Sequence, residues 1–324
     1  MKRIFSVFLA LSFLVILTAG CSNGSRSDDG KIKIVCTIFP QYDWTRQIIG
    51  DNADNFALTL LLDSGVDLHS YTPTIPDMAT VKSCDIFIYT GGHSDAWVED
   101  ALRDANPDMV TLNLMEILGD LIITDRHDAG DCDIDHDHDE EHIDEHIWLS
   151  LRNAQVISRA IANVLSEKDP ENAQAYQENL TAYTAKLSDL DEEYKTAVDA
   201  ANVKTLVFAD RFPFRYMTND YGLAYYAAFS GCSAETEAGF ITRITLAKRL
   251  EHLDMNTMLV TESSDKSVAE AVNAEYKKEN PDSPDRQILV LNAMQSVTRR
   301  DVDNGASYLS IMESNLEVLK EALS

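Results

Sequence analysis

The residues from Asp125 to Ser150, DRHDAGDCDIDHDHDEEHIDEHIWLS, hold five of the chain's eight histidines among eleven aspartates and glutamates. Imidazole suits zinc and other borderline transition metals, and carboxylates add charge and suit harder cations. The tract has the chemistry of a cation collector; the competing reading is a solvated acidic loop. The alternating Asp131, Asp133, Asp135, Asp137 and Asp139 do not make a calcium EF-hand. Position six of that loop is His136 where glycine is needed, and position twelve is His142 where a bidentate glutamate is needed. Nor is His142-Ile-Asp-Glu-His146 a zinc-protease helix, because its acid is displaced from the second position. No nucleophile elbow and no Walker loop occurs. Two histidines have a distinct setting. His69 lies in GVDLHSYTPT, directly after an apolar run, and His146 in EHIWLS, where polar sequence turns into a helix.

The balance of charge agrees with a cationic ligand. There are 54 acidic against 27 basic side chains, a formal charge of −27. That disfavours nucleic acid or an anionic bilayer as an electrostatic partner. The N-terminus has Lys2 and Arg3, an apolar run from Ile4 to Ile16, and then Leu17-Thr18-Ala19-Gly20-Cys21. Such a run, with a small-residue exit, reads as a signal peptide over 1–20. The Leu-x-Ala-Gly-Cys sequence resembles the bacterial lipobox, which implies lipidation of Cys21. The Ser/Gly/Asp-rich residues to Gly30 then form a tether over 21–30. The expected location is extracytoplasmic, lipid-anchored to the bacterial cell membrane. Removal of 1–20 leaves 25 basic side chains against 54 acidic ones. Cys36 and Cys84 lie in apolar runs and read as buried small residues. Cys132 lies in the tract, and the pairing of these with Cys232 stays open.

Positioning these residues requires a scaffold, and its pattern is regular. β-branched and apolar runs at Lys31–Phe39, Phe56–Leu62, Ile86–Tyr89 and Met109–Leu112 alternate with helical segments. The alternation resumes with runs at Thr205–Ala209, Leu223–Phe229, Thr257–Thr261 and Ile288–Leu291. Between the two sets, Leu180, Tyr183, Leu187, Leu190 and Tyr194 recur at three- and four-residue steps with no interruption, after Asp169 as cap and Pro170. The predicted fold is two α/β lobes with mostly parallel sheets joined by one long rigid α-helix. Its expected parts are a first lobe over 31–165 with an acidic His-rich loop at 125–145, the helix over 166–203, and a second lobe over 204–324. Ligands of such sheets bind at strand carboxyl ends, which is where His69 falls.

DLHSYTPT and EHIWLS, in this order, behind a lipobox and with an acid/His tract before the second, resemble the zinc- and manganese-binding lipoproteins of bacterial ABC importers. The similarity runs from CTIFPQYDW to SYLSIMESNLEVLKEAL. It implies two lobes on a long helix with a metal between them, His69 and His146 as ligands from the first lobe, and two ligands from the second. Allowing one inserted residue before Tyr221-Gly222-Leu223, Asp210 takes the third position, and a carboxylate is an acceptable zinc ligand. The fourth falls near Gln295, a poor ligand; Glu237, water or, further down, Glu262 could compensate. The implied function is capture of a divalent transition metal and its delivery to an ABC permease membrane subunit by a monomeric, non-enzymatic protein. Zn²⁺ is favoured by the His-rich tract, with Mn²⁺ the alternative. His127, His136, His138 and His142 would form an accessory metal-gathering loop. The rival readings are a metal-dependent surface adhesin and a zinc hydrolase with an open water position.

Overall fold

The computed structural model describes residues 30–124, 143–229, 231 and 238–324. Residues from Ile32 onward form one compact unit. Its first sheet is built from β1 (Ile32–Cys36), β2 (Phe56–Leu60), β3 (Ile86–Tyr89) and β4 (Val110–Asn113), in the order β2-β1-β3-β4. The second comprises β5 (Thr205–Phe208), β6 (Ala224–Ala227), β7 (Thr257–Thr261) and β8 (Gln287–Leu291), in the order β6-β5-β7-β8. Every pairing is parallel. Parallel neighbours require crossovers, and helices supply them: α1 (Phe39–Ile49), α2 (Ile75–Lys82) and α3 (Val98–Leu102) in the first lobe, with α4 (Leu114–Leu118) following its last strand. In the second they are α7 (Arg215–Tyr221), α8 (Phe240–His252) and α9 (Ser267–Glu279), and α10 (Arg299–Asp303) and α11 (Tyr308–Ala322) follow the last strand. The alternating pattern of the sequence is thus realised as two doubly covered parallel sheets.

Between them run α5 (Leu151–Lys168) and α6 (Ala173–Ala200). The 28 residues of α6 span about 42 Å at 1.5 Å per residue. Its buried stripe, Tyr176, Leu180, Tyr183, Leu187, Leu190, Tyr194 and Val198, packs along α1, α5 and α11 and so touches both lobes. Asp169 does not cap this helix. Its carboxylate instead accepts hydrogen bonds from the Tyr176 hydroxyl at 2.6 Å and from Asn55 and Asn172, and Pro170 begins a separate 3-10 turn. One apolar core is continuous from Ile34 to Leu323, while smaller clusters cover the outer face of each sheet. A shared core gives the lobes a fixed seat on each other. Asp43 of α1 reinforces it by accepting from the backbone N–H of Tyr308 at 2.9 Å, beside Arg46 reaching the Ala306 carbonyl.

In each sheet the chain first moves to one side of the central strand and then returns to the other. The carboxyl ends beside this switch form the crevice where ligands of such sheets bind. His69 follows β2, Ser94 follows β3, Asp210 follows β5, Glu262 follows β7 and Gln295 follows β8. Cys36 and Cys84 are buried free thiols, and burial raises both, Cys84 to about 12. Cys21, Cys132 and Cys232 lie outside the described residues.

Candidate metal centre

His69 sits in a single 3-10 turn, Leu68–Ser70, whose start is capped by the Asp67 carboxylate accepting from His69 N–H at 2.9 Å. Leu68 is buried and fixes the turn. The ring Nδ1 lies 2.8 Å from Ser94 Oγ, and Glu145 Oε2 stands 3.9 Å behind it. Glu145 is itself held by the Ser94 N–H at 3.0 Å. This approach needs Gly92, at φ +84°, since a Cβ there would lie 2.7 Å from Glu145 Oε1.

His146 is more deeply set, 3% exposed. Asp144 Oδ1 accepts from both its backbone N–H and its ring Nδ1, each at 2.8 Å. The following turn is pinned across the lobes: Trp148 Nε1 donates to the Ala293 carbonyl at 2.8 Å, and the Tyr308 hydroxyl donates to the Trp148 carbonyl at 2.7 Å. Ser150 caps α5 through Asn153 N–H and donates to Asp220 of α7. Burial alone would raise the Asp144 carboxyl, but His146 and Arg215 outweigh it and hold it below the usual carboxylate range.

With both Nδ1 atoms engaged from behind, the Nε2 atoms face each other at 3.1 Å. Tetrahedral zinc with bonds of 2.0–2.1 Å separates two nitrogen ligands by about 3.3 Å. The pair therefore needs almost no adjustment to share one ion. Asp144 keeps the proton on Nδ1 of His146 and leaves a lone pair on Nε2, the arrangement in which a carboxylate orients a ligating histidine. The Gln295 side chain completes the cluster, its amide nitrogen 3.1 Å from His146 Nε2. A half-turn of the amide puts its carbonyl oxygen, a metal donor, in the same place. The loop bearing Gln295 is held in a strained form: Met294 has φ +59°, and the Glu262 carboxylate accepts from Ala293 N–H at 2.7 Å and Gln295 N–H at 2.9 Å. Beside this cluster, Phe39, Leu68, Trp148, Met294 and Val297 line, with Gln295, a cavity of only about 10 Å³. That is room for an ion or a water rather than an organic molecule. A larger surface groove of about 630 Å³ lies between the end of α6 and the C-terminus, and no histidine lines it.

The family model described as ZnuA, zinc-uptake complex component A periplasmic, matches residues 34–322. The chain belongs to this family. It is 30% identical over 325 residues to the zinc-binding lipoprotein AdcA of Streptococcus pneumoniae (strain ATCC BAA-255 / R6), covering 99% of this chain and 61% of AdcA. The chain thus spans less than two thirds of that relative. It is 28% identical over 319 residues to the high-affinity zinc uptake system protein ZnuA of Bacillus subtilis (strain 168), covering 97% of this chain and 96% of that protein. Its fold matches the Zn(II)-bound ZnuA-like domain of S. pneumoniae AdcA with a TM-score of 0.71 at 26% identity, over 91% of this chain and 99% of the domain.

Within this member of the ZnuA family, His69 and His146 come together but Asp210 does not join them. Its Oδ2 accepts from Thr261 N–H at 2.9 Å and Thr261 Oγ at 2.7 Å, and its Oδ1 from Arg211 N–H at 2.8 Å. The carboxylate ties β5 to β7 through these three accepted hydrogen bonds. Among the described residues no group of three or more His, Cys, Asp or Glu converges as a metal site. Glu262, another inter-lobe candidate, is likewise spent on backbone N–H groups. Glu237, His127, His136, His138 and His142 lie outside the described residues. Sequence reasoning missed Asp144, Glu145 and Ser94 as supports and discounted Gln295. The acid two residues before His146 was the readable signal, whereas Ser94 reaches His69 only through the fold.

Asp95, next to Ser94, is 4% exposed; its Oδ2 accepts from Gly91 N–H at 2.9 Å, and Oδ1 has no hydrogen-bond partner among the described residues. Burial, opposed by the Gly91 N–H and reinforced by the charge of Glu145, pushes its carboxyl up to about 6. A raised carboxyl contributes stability that is complete below the unfolded value near 3.9 and is lost as pH rises through about 6. Asp95→Asn should therefore raise the melting temperature of the metal-free protein at pH 8. The gain is at most about 3 kcal/mol and shrinks towards zero near pH 4. Scanning calorimetry across that range checks it, and a gap that does not depend on pH would refute the assignment.

Proposed function

We propose that this protein is an extracytoplasmic lipoprotein that captures a divalent transition metal, zinc foremost, and delivers it to an ABC import permease. The observation that carries the reading is the pair of Nε2 atoms of His69 and His146, 3.1 Å apart and each backed at Nδ1. Two imidazole lone pairs at that distance repel unless a proton or a cation lies between them. A metal ion satisfies both, and membership of the zinc-uptake family supports zinc as that ion. The protein acts by binding rather than by catalysis, and the metal is its cargo.

In this reading His69 and His146 bind as neutral imidazoles and Gln295 turns its carbonyl oxygen to the ion. These three donors carry no net charge, so a carboxylate is the fitting fourth partner for a divalent cation, and Glu237 supplies it. Borderline nitrogen donors favour zinc; manganese, which prefers more oxygen ligands, binds less well. Because protons compete for the same nitrogens, affinity falls below about pH 6. Cys21 carries the lipid that keeps the protein at the membrane beside its permease.

The tract gathers metal ahead of the centre. Its ends are drawn together by an antiparallel bridge between Thr124 and Ile143, three residues before His146. Metal held weakly on His127, His136, His138 and His142 is thus released close to the high-affinity site. Deletion of 128–141 should slow capture at nanomolar zinc several-fold in stopped-flow competition with a fluorescent chelator, while leaving one high-affinity equivalent at equilibrium. Loss of that equivalent would show that the tract belongs to the centre. Isothermal titration of the metal-free chain tests the reading as a whole: no tight zinc or manganese site would overturn it.

A further inference from the structure

The two ends of the tract are joined by more than the Thr124–Ile143 bridge. Asp144 N–H donates to the Ile123 carbonyl at 3.1 Å. In an antiparallel pair the reciprocal bond would run from Ile123 N–H to the Asp144 carbonyl. Here the Tyr216 phenol stands between those groups, accepting from Ile123 N–H at 3.1 Å and donating to the Asp144 carbonyl at 2.9 Å. Tyr216 belongs to α7 of the second lobe and is 2% exposed. Its neighbour Arg215 places Nε 3.5 Å from Asp144 Oδ2, with both side chains largely out of water. The other oxygen of Asp144 holds His146 by its backbone N–H and its ring Nδ1.

Two consecutive residues of one lobe thus fix, through a single carboxylate-bearing residue of the other, both the root of the tract and the ring of His146. We propose that Tyr216 and Arg215 are positioning residues for the metal centre: they set the backbone of Asp144 and aim its carboxylate, and so select the tautomer and direction of His146. The proposal rests on His146 being a metal ligand. Tyr216 acts on the main chain and Arg215 on the carboxylate. Without the phenol, Ile123 N–H and the Asp144 carbonyl can close directly on each other, which draws Asp144 towards Ile123 and away from His146. Without the guanidinium, Asp144 keeps its bond to His146 but loses the contact that fixes its second oxygen. The arrangement also makes the tract root and the metal centre share one support on the second lobe, so neither can shift without the other.

Three variants of the full chain test this: Tyr216→Phe, Arg215→Met and Arg215→Lys. The first readout is the tautomer of His146 in the metal-free protein, from long-range ¹H–¹⁵N correlation, with His146→Ala identifying the signal. The second is the visible spectrum of the cobalt-loaded protein, and the third is zinc affinity by chelator competition. Tyr216→Phe is expected to mix the two tautomers, alter the cobalt bands and weaken zinc by 10–100-fold, the usual consequence of losing an outer-shell partner. Arg215→Met is expected to do the same more weakly, with Arg215→Lys restoring most of the wild-type behaviour. Wild-type tautomer, spectrum and affinity in Tyr216→Phe would overturn the proposal. If Tyr216→Phe does not fold, the Arg215 pair decides, and Met and Lys variants both matching the wild type would overturn it equally. Failure of the wild type to bind zinc would sink the ligand reading instead, and the metal-free tautomer measurement would still report on the positioning.

Discussion

His69→Ala is expected to lower zinc affinity by about two to three orders of magnitude while leaving the metal-free protein close to wild-type stability. A structural zinc site of four ligands binds with roughly 10–16 kcal/mol, so one ligand accounts for on the order of 3–4 kcal/mol. His69 can be removed cleanly because its ring is a quarter exposed and its partner, the Ser94 hydroxyl, has water to turn to. His146→Ala should weaken zinc at least as much but also destabilise the fold. It leaves the Asp144 carboxylate, 6% exposed, with one hydrogen-bond donor fewer, a loss of about 1–3 kcal/mol. The double variant should fall short of the sum of the two, because a centre missing one imidazole no longer gains full value from the other. Calorimetric titration gives the affinities and thermal melts of the metal-free variants separate ligand loss from damage. His69→Ala with unaltered zinc affinity would remove this residue from the centre.

The parts of the molecule legible in the sequence were those with a local signature. Strands such as FALTLLL and the long stripe of Leu180, Tyr183, Leu187, Leu190 and Tyr194 declare themselves by periodicity, because burying one face is what forms them. His69 and His146 were legible for a different reason, each lying in a motif at a strand end or a helix start. Asp210 shows what a motif leaves out. The motif gives the residue type at a position but not the competitors for its lone pairs, and Thr261, 51 residues away, takes those of Oδ2. In the sequence Asp144 is one acid in a crowd. The fold gives it a setting of its own, by bringing Arg215 and Tyr216 of the opposite lobe onto it. Ligand chemistry alone discounts Gln295, yet the Glu262 carboxylate and the strained Met294 direct its amide to His146.

Gln295→Glu should convert a neutral set of described donors into an anionic one and raise metal affinity. The side chains are isosteric, and the bond that fixes the loop comes from the main chain, Gln295 N–H to Glu262, so it survives the substitution. A carboxylate at the position of the amide, 3.1 Å from His146 Nε2, would sit within bonding range of a shared ion. Two opposite unit charges 4 Å apart interact by about 4 kcal/mol at an effective dielectric constant of 20. After the cost of desolvating the new carboxylate, a gain of roughly 1.5–3 kcal/mol remains, or about 10–100-fold in zinc affinity, expressed mainly as slower release. Manganese should gain more than zinc, since a second oxygen-rich ligand suits it better than an amide does, and the zinc-over-manganese ratio should narrow. The metal-free variant should lose stability, because the added charge stands near the Asp144–Glu145 pair with no metal ion to offset it. The distance between metal-loaded and metal-free melting temperatures should therefore widen from both ends. Release rates from chelator-chase kinetics and competition titrations with both metals measure these effects. An affinity for zinc that stays the same or falls would mean that the Gln295 side chain turns away from the ion. The centre would then rest on the two imidazoles and on donors from elsewhere in the chain.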